Sequence, residues 1–194
     1  MKEIILATGN AGKVKEFNEM ANKYGINFVK IDMPDVDENG DSFEQNSLIK
    51  AKAVFDISKG KPTMADDSGL VVDCLNGGPG IHTARYRNDL KTYNERGKAL
   101  IEEVNKKNES RKAHFVCVLT LITSKGEVVH FRGETYGTIA KECIGENGHG
   151  YDPVFISDDL GKTFGMASIE EKDSVSHRSR AFKKLIEWLE KNAL

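Results

Sequence analysis

Two adjacent carboxylates, Asp66 and Asp67, interrupt an otherwise apolar stretch from Thr63 to Asp73. Carboxylates can hold a divalent cation or take a proton from water, which is the chemistry that a phosphate-cleaving site needs. Adjacent side chains in extended backbone point to opposite faces, so we expect only one of the two acids to face a given cleft. We expect the pair to lie at a small turn between two strands. A turn in which Asp and Ser merely cap backbone groups is the common alternative.

The residues that suit phosphate lie at the start of the chain, where the apolar run from Ile4 to Ala7 ends in a polar turn. Apolar residues then recur at helical spacing, which predicts a helix whose first residues are Gly9 to Lys13. A helix start offers unpaired N–H groups and a positive dipole end, and Lys13 adds a cation. The stretch lacks the Walker pattern. An ordinary strand–helix junction capped by Asn10 explains the composition equally well.

An acidic loop follows the second predicted strand, and it contains Asp35, Asp37, Glu38 and Asp41. A solvated loop is the default interpretation of such a run. A cation site is the alternative, because a divalent metal takes oxygen ligands and the loop can supply one or two. The loop ends at Ser42, which begins a capping box for the second helix.

Two further stretches have residues that suit a nucleobase. Residues 145–153 contain three glycines in six residues, and such loops either turn tightly or let backbone touch a ligand. His149 and Tyr151 have rings that stack on a base, and Asp152 can accept a hydrogen bond from it. Residues 176–178, Ser-His-Arg, stand at the predicted start of the last helix, where side chains reach a neighbouring loop or remain solvated.

Composition limits the class of protein. The chain has 194 residues, 39% hydrophobic and 30% charged, which is typical of a folded water-soluble protein. A net charge of −2 gives no general attraction for nucleic acid, and no apolar run approaches the roughly 20 residues of a membrane span. The N-terminus leads straight into a strand without a signal peptide. Three widely separated cysteines favour reduced thiols and a cytoplasmic location over disulfides or a zinc site.

The order of predicted elements indicates an α/β fold with a mixed sheet, in a single domain over residues 1–194. Strands and helices alternate in the first half, and a hairpin-rich block follows. We expect a helix from about Asp89 to Lys107, a strand buried on both faces from Ala113 to Thr123, and a final helix capped by Ser174. From the residues alone, the function is that of a protein that binds a phosphate-containing ligand with magnesium.

Four motifs together carry a resemblance to a known family. They are Thr8-Gly9-Asn10-x-x-Lys13, Ala65-Asp66-Asp67-Ser68-Gly69-Leu70, Gly150-Tyr151-Asp152-Pro153 and Ser176-His177-Arg178. In this order and at these spacings the chain resembles, over essentially its whole length, the inosine triphosphate pyrophosphatase family of Ham1-like enzymes.

The resemblance implies a fold, an activity and a cofactor. The fold is an elongated α/β body of two lobes with the active-site cleft between them, assembled as a homodimer. The activity is hydrolysis of non-canonical purine nucleoside triphosphates (ITP, dITP and XTP) to the monophosphate and pyrophosphate, which sanitises the nucleotide pool. The cofactor is Mg²⁺.

The resemblance also implies a role for each matching residue. Asp67 is the general base, and Glu38 and Asp67 share the metal. Ser68 touches the substrate, and Lys172, His177 and Arg178 contact the base region. The triphosphate is held by Thr8, Gly9, Asn10, Ala11, Gly12 and Lys13. The wall on which the base stacks is formed by His149, Gly150, Tyr151 and Asp152.

These roles make the choice of base chemically reasonable. Hypoxanthine and xanthine present a 6-oxo group to donors such as Lys172 or Arg178, whereas the 6-amino group of adenine leaves such donors unpaired. An unpaired buried donor costs about 1–3 kcal/mol, enough for roughly 5- to 150-fold discrimination. The chain departs from the family at His149, where Phe or Trp is usual, and at Gln45, where the second helix usually has Glu.

Two other functions compete with this hypothesis. One is a pyrophosphatase for other modified nucleotides, which a panel of substrates separates. The other is a nucleotide sensor that binds tightly without turnover. Direct binding of nucleic acid is disfavoured by the acidic balance and by the lack of a basic stripe.

Overall fold

The computed structural model describes residues 1–194, and a six-stranded sheet forms its backbone framework in the order β2-β1-β3-β4-β5-β6. Strand β1 pairs in parallel with β2 and β3, whereas β5 pairs antiparallel with β6, so the sheet is mixed and the predicted α/β class is confirmed. The strands are β1 (Lys2–Leu6), β2 (Ile26–Lys30), β3 (Thr63–Val72), β4 (Lys112–Ile122), β5 (Val128–Ile139) and β6 (Phe155–Ser157).

Five α-helices accompany the sheet, and polar residues fix where several of them begin. The helices are α1 (Ala11–Ala21), α2 (Phe43–Ile57), α3 (Tyr93–Lys107), α4 (Ile169–Val175) and α5 (His177–Lys191). The predicted cap Ser42 is confirmed, since its Oγ accepts the Gln45 N–H at 3.1 Å. Asn10, the cap in the alternative interpretation of the first turn, accepts the Gly12 N–H through Oδ1 at 2.8 Å. Gln45 Oε1 accepts the Asp41 N–H at 2.6 Å, one residue before the cap.

Chain contacts divide the protein into two compact units. The first unit contains Met1–Asp67, Val118–Arg132 and Ala181–Leu194. The rings of Phe17, Phe28 and Phe182 meet in its interior with centroids 5.6–6.4 Å apart. A separate cluster on the α2 side contains Ala51, Val54 and residues of β1 and β3. These contacts hold α1, α2 and the strands between them in fixed positions.

The second unit contains Ser68–Cys117 and Gly133–Arg180. Its core is aromatic, since Phe115, Phe155 and Phe164 meet with ring centroids 4.6–6.0 Å apart. Residues of α3 and the end of β3 complete this core. Strand β4 is buried along nearly its whole length, as its continuous apolar run predicts. The predicted single domain and the cleft between lobes stay predictions.

The structure corrects four of the predicted boundaries. The acidic pair lies within one continuous strand, β3, because each carboxylate has a cation partner and no turn is needed there. Helix α1 begins at Ala11, since Asn10 adopts extended backbone and caps it. Helix α3 begins at Tyr93 because Thr92 and Glu95 form a complete capping box.

The fourth correction concerns the last helix. Ser174 does not cap it, because this residue lies inside α4 and its hydroxyl donates to the Glu171 carbonyl at 2.6 Å. Ser176 is the cap instead: its backbone is extended, and its Oγ accepts the Ser179 N–H at 3.1 Å. The helix therefore begins at His177, so the Ser-His-Arg motif does stand at its start. No helix of the protein combines the length and apolar character that spanning a membrane demands.

Candidate functional site

The phosphate-type loop lies between β1 and α1 in the first unit. Thr8 Oγ1 accepts the Asn10 N–H at 3.1 Å, and Asn10 in turn accepts the Gly12 N–H. Two of the predicted phosphate donors are therefore already held by side chains, which fixes the shape of the loop. Thr8 is buried, whereas residues 9–12 are exposed. The loop thus combines a rigid path with an accessible helix start.

Lys13 forms a buried ion pair at the edge of this loop. Its Nζ lies 2.9 and 3.1 Å from the two carboxylate oxygens of Asp66, which is only 1% exposed. Both residues line a pocket of about 340 Å³ together with Thr8, Gly9 and the acidic loop from Met33 to Glu38. The pairing places a cation in the pocket and explains how β3 tolerates a buried acid.

Lys50, on α2, joins the two carboxylates that the resemblance assigns to the metal. Its Nζ lies 3.0 Å from Glu38 Oε1 and 3.6 Å from Asp67 Oδ1. The neighbouring acids of β3 therefore have different partners, as the alternation of side chains along a strand predicts. Lys50 and Asp67 have side chains only 14% and 12% exposed. The cluster is thus a charged group taken largely out of water.

Burial governs the ionisation of this cluster. Burial raises the pKa of Asp67 to about 6; the charges of Glu38 and Asp66 add to the rise, and Lys50 opposes it. Burial lowers the pKa of Lys50, but the three carboxylates around it outweigh that effect and leave the pKa above its ordinary value. A carboxylate with a pKa near 6 is ionised at neutral pH and is basic enough to accept a proton from water.

The residues present fit a magnesium ion. Asp67 Oδ2 is buried and has no hydrogen-bond partner, so this carboxylate keeps one oxygen that a cation or a donor can satisfy. No group of three or more His, Cys, Asp and Glu side chains is arranged so that it could hold a metal ion by itself. Mg²⁺ does not require one, because it binds through one or two carboxylates, substrate phosphates and water. Glu38 and Asp67 would hold it.

A second pocket, of about 190 Å³, lies within the second unit. It brings together most of the residues predicted to contact the base. Those that line it are Ser68, His149, Gly150, Tyr151, Asp152, His177 and Arg178. Ser68 Oγ is buried without a hydrogen-bond partner, which leaves a polar group for a ligand to satisfy. Lys172 is not among the lining residues.

Lys172 instead holds the glycine-rich loop through Asp152. Its Nζ lies 2.6 Å from Asp152 Oδ2, and the same oxygen accepts the His149 N–H at 3.0 Å. Asp152 is 2% exposed. Gly148 has φ +72°, and a Cβ at this position would lie 2.1 Å from Asp152 Oδ2. The glycine is therefore required by both its backbone and the close approach of the carboxylate.

The aromatic residues of the second pocket differ in exposure. Tyr151 is 3% exposed and its ring meets that of Tyr93 edge-on at 5.7 Å, so it is a residue of the core as well as of the pocket lining. His149 is exposed on the loop. His177 stacks on Phe115 with centroids 4.9 Å apart and planes inclined by 15°. This stacked pair gives the pocket a flat wall.

Sequence reasoning missed three residues that line these pockets. The spacing places Lys50 off the apolar face of the second helix, where a lysine is normally solvated, so the sequence gives no sign of its contact with Glu38 and Asp67. Phe115 was placed in the core only, as part of a continuous apolar strand. Thr83 belongs to no motif that indicates a site. In the structure it lines the second pocket, and its hydroxyl accepts the Leu70 N–H at 2.9 Å.

Comparison with known proteins agrees with this arrangement. The model of the Ham1 family matches residues 4–188. A dITP/XTP pyrophosphatase of Clostridium perfringens is 42% identical over 95% of this chain and 96% of its own. A dITP/XTP pyrophosphatase of Symbiobacterium thermophilum is 41% identical over 97% of this chain and 95% of its own.

Solved structures give the same result. A HAM1 protein from Coxiella burnetii has a TM-score of 0.91 at 33% identity, covering 99% of this chain and 100% of its own. The Staphylococcus aureus Ham1 protein has a TM-score of 0.88 at 37% identity, and the match covers 98% of this chain and 99% of that protein. The resemblance carried by the four motifs is therefore confirmed, and the chain belongs to the Ham1 family.

Proposed function

We propose that the protein hydrolyses dITP, XTP and ITP to the nucleoside monophosphate and pyrophosphate. The relatives named dITP/XTP pyrophosphatase match nearly the full chain at about 40% identity, which supports the same reaction here. The observation that carries the proposal is the buried Asp67 carboxylate, whose Oδ2 has no hydrogen-bond partner while Oδ1 faces Lys50. A base held in this way needs a proton donor, and a water molecule poised for attack is one.

Asp67 accepts the proton of the attacking water in this proposal. The water oxygen bonds to the α-phosphorus. The bond between this phosphorus and the oxygen that bridges it to the β-phosphorus breaks, and the bridging oxygen leaves with pyrophosphate. The helix start from Thr8 to Lys13 binds the triphosphate through its accessible N–H groups and the Lys13 ammonium. A magnesium ion bound by Glu38 and Asp67 would supply charge neutralisation for the phosphates. The pKa of about 6 keeps Asp67 ionised at neutral pH, so it is ready to act.

The pocket of the second unit is proposed to bind the purine. His177 and Arg178 begin α5, and the flat wall of His177 and Phe115 suits an aromatic base. His149, Gly150, Tyr151 and Asp152 shape the opposite loop, and Lys172 holds it through Asp152. Asp66 lines the first pocket and Ser68 lines the second, so β3 contributes a residue to each. The 6-oxo group of hypoxanthine or xanthine accepts a hydrogen bond from a donor such as Arg178, whereas the 6-amino group of adenine does not.

Three further features belong to the proposal. The cofactor is Mg²⁺, supported by the fit of Glu38 and Asp67. A homodimer and a cytoplasmic location are supported by the family resemblance, and three free cysteines agree with a reducing compartment. Light scattering in solution tests the dimer, which predicts twice the 21.5 kDa chain mass.

Product analysis tests the activity. The protein is incubated with Mg²⁺ and, separately, ITP, XTP, dITP, GTP and ATP, and the products are separated by anion-exchange chromatography. We expect monophosphate and pyrophosphate from the first three, with little product from GTP or ATP. The same incubations in EDTA should give no product from any of them.

Each other outcome has a definite meaning. Nucleoside diphosphate with orthophosphate would show that the wrong bond was assigned and would overturn the roles given to the triphosphate residues. Tight nucleotide binding with no product at long incubation would replace the enzyme by a sensor. Release of pyrophosphate from ATP as fast as from ITP would remove the proposed role of the 6-oxo group.

A further inference from the structure

Lys50 lines the first pocket, and no step of the proposed reaction uses it. It lies on α2, and its ammonium lies between Glu38 Oε1 at 3.0 Å and Asp67 Oδ1 at 3.6 Å. These are the two carboxylates proposed to hold magnesium. An ammonium that contacts both ligands occupies part of the space and uses part of the negative charge that a metal ion needs.

The helix keeps this ammonium in place. Ala51 and Val54, which follow Lys50 along α2, are fully buried in the core beside β1 and β3. One turn before Lys50, the buried Ser47 hydroxyl is hydrogen-bonded to Thr120 Oγ1 of β4 at 2.5 Å. The backbone of α2 is thus packed both before and after Lys50, which holds the lysine beside the two carboxylates.

Charge explains why a lysine is tolerated there. A side chain only 14% exposed loses most of its hydration, and this cost is offset only by close opposite charges. The ammonium lies 3.0 Å from Glu38 and 3.6 Å from Asp67, and it lines the same pocket as Asp66. The carboxylates are therefore neutralised by a cation of the protein itself.

We propose that Lys50 is a built-in counter-ion that competes with the divalent cation for Glu38 and Asp67. The proposal rests on the proposed function only in taking these two carboxylates as the metal ligands. A doubly charged ion at the same oxygens is repelled by the ammonium, because the pair is only partly screened by water. The metal consequently binds weakly to the nucleotide-free protein. It binds more tightly with the substrate, because the phosphates supply additional negative charge.

Manganese binding to the nucleotide-free protein tests this competition. Free Mn²⁺ is measured by its electron paramagnetic resonance signal during titration of the wild-type protein and of Lys50→Met. Removing the ammonium should tighten Mn²⁺ binding at least about tenfold, or about 1.4 kcal/mol. Lys50→Arg keeps the charge and should bind Mn²⁺ as weakly as the wild type. Lys52→Met, an exposed lysine of the same helix, is the matched control and should change nothing.

The outcomes separate this inference from the proposed function. Unchanged or weaker Mn²⁺ binding by a folded Lys50→Met would overturn the role of Lys50 as competitor, whatever the wild-type enzyme hydrolyses. Absence of pyrophosphate from the wild type would overturn the proposed function and leave the metal titration valid. If circular dichroism shows that Lys50→Met does not fold, Lys50→Gln takes its place, because its amide keeps a hydrogen bond to Glu38 without the charge.

Discussion

Asp67 should make the metal-free protein less stable as the pH rises from about 4 to 7. The pKa of its carboxyl is about 6 in the folded protein and 3.8 in an exposed aspartate. Below both pKa values the acid is protonated in the folded and unfolded states, and its ionisation does not reduce the free energy of unfolding. Above both values it is ionised in both states, and the folded protein must hold a poorly hydrated charge. The contribution of this group is therefore favourable at low pH and is lost as the pH passes 6.

The magnitude follows from the difference between the two pKa values. A shift from 3.8 to about 6 is about 2 units, and each unit corresponds to about 1.36 kcal/mol. Full ionisation thus costs about 3 kcal/mol, and partial access of solvent reduces this to roughly 2–3 kcal/mol. Asp67→Asn resembles the protonated acid at every pH. Its free energy of unfolding, minus that of the wild type, should rise by this amount between pH 4 and 7.

Urea unfolding in EDTA measures this difference at half-unit steps of pH. Both proteins share every other titrating group, so general acid destabilisation cancels in the subtraction. Asp89→Asn is the control, because Arg87 hydrogen-bonds the Asp89 carboxylate and lowers its pKa, so this group titrates below the measured range and its difference should stay nearly constant from pH 4 to 7. A difference for Asp67→Asn that stays constant from pH 4 to 7, or falls, would refute the reasoning.

Three other changes have expected effects. Asp67→Asn should reduce turnover by roughly 10²–10⁴-fold, the range for loss of a general base, while nucleotide binding measured by calorimetry is largely kept. Lys172→Met leaves the buried Asp152 carboxylate unpaired, and by urea unfolding it should cost about 3–5 kcal/mol. Gly148→Ala places a Cβ 2.1 Å from Asp152 Oδ2 at φ +72°, and it should cost more than the roughly 1–3 kcal/mol of backbone strain alone.

Each of these predictions has a control variant or a result that would contradict it. Retained turnover in Asp67→Asn would remove this residue as the base. Combining Lys172→Met with Asp152→Asn should recover part of the loss, and a double variant as unstable as the sum of both would contradict the pairing. Gly161→Ala has a similar φ of +68° but open space around its Cβ, so it isolates the strain. Equal costs for the two alanine variants would mean that the carboxylate does not crowd Gly148.

Local patterns were enough to predict the parts of the fold that local physics determines. The apolar run before Thr8 and the caps at Asn10 and Ser42 appear where the sequence placed them, because strand burial and capping depend on residues close in the chain. The apolar spacing predicts a start for α3 near Asp89, whereas the capping box at Thr92 sets the start at Tyr93. A cap, not the hydrophobic stripe, determines where a helix begins.

The acidic pair shows what a sequence does not reveal. Two adjacent aspartates disfavour a strand, so a turn is the sound local prediction at Asp66 and Asp67. Their partners are Lys13, more than 50 residues earlier, and Lys50, which lies on a helix. Only the folded chain brings these cations to β3, and only then does the strand continue through the acids. Such long-range compensation is invisible to spacing rules.

Lys50 is a residue of the candidate site that lies outside the four sequence motifs. The four motifs carry the groups that belong to a phosphate-cleaving site, and the structure brings most of them to two pockets. The motifs omit Lys50, yet its charge decides whether Glu38 and Asp67 are available to a metal. A site that neutralises its own carboxylates stays folded without its cofactor, but the cofactor must then displace the internal cation. Stability of the empty protein and affinity for the metal are therefore opposed at this one residue, and a variant that improves one should weaken the other.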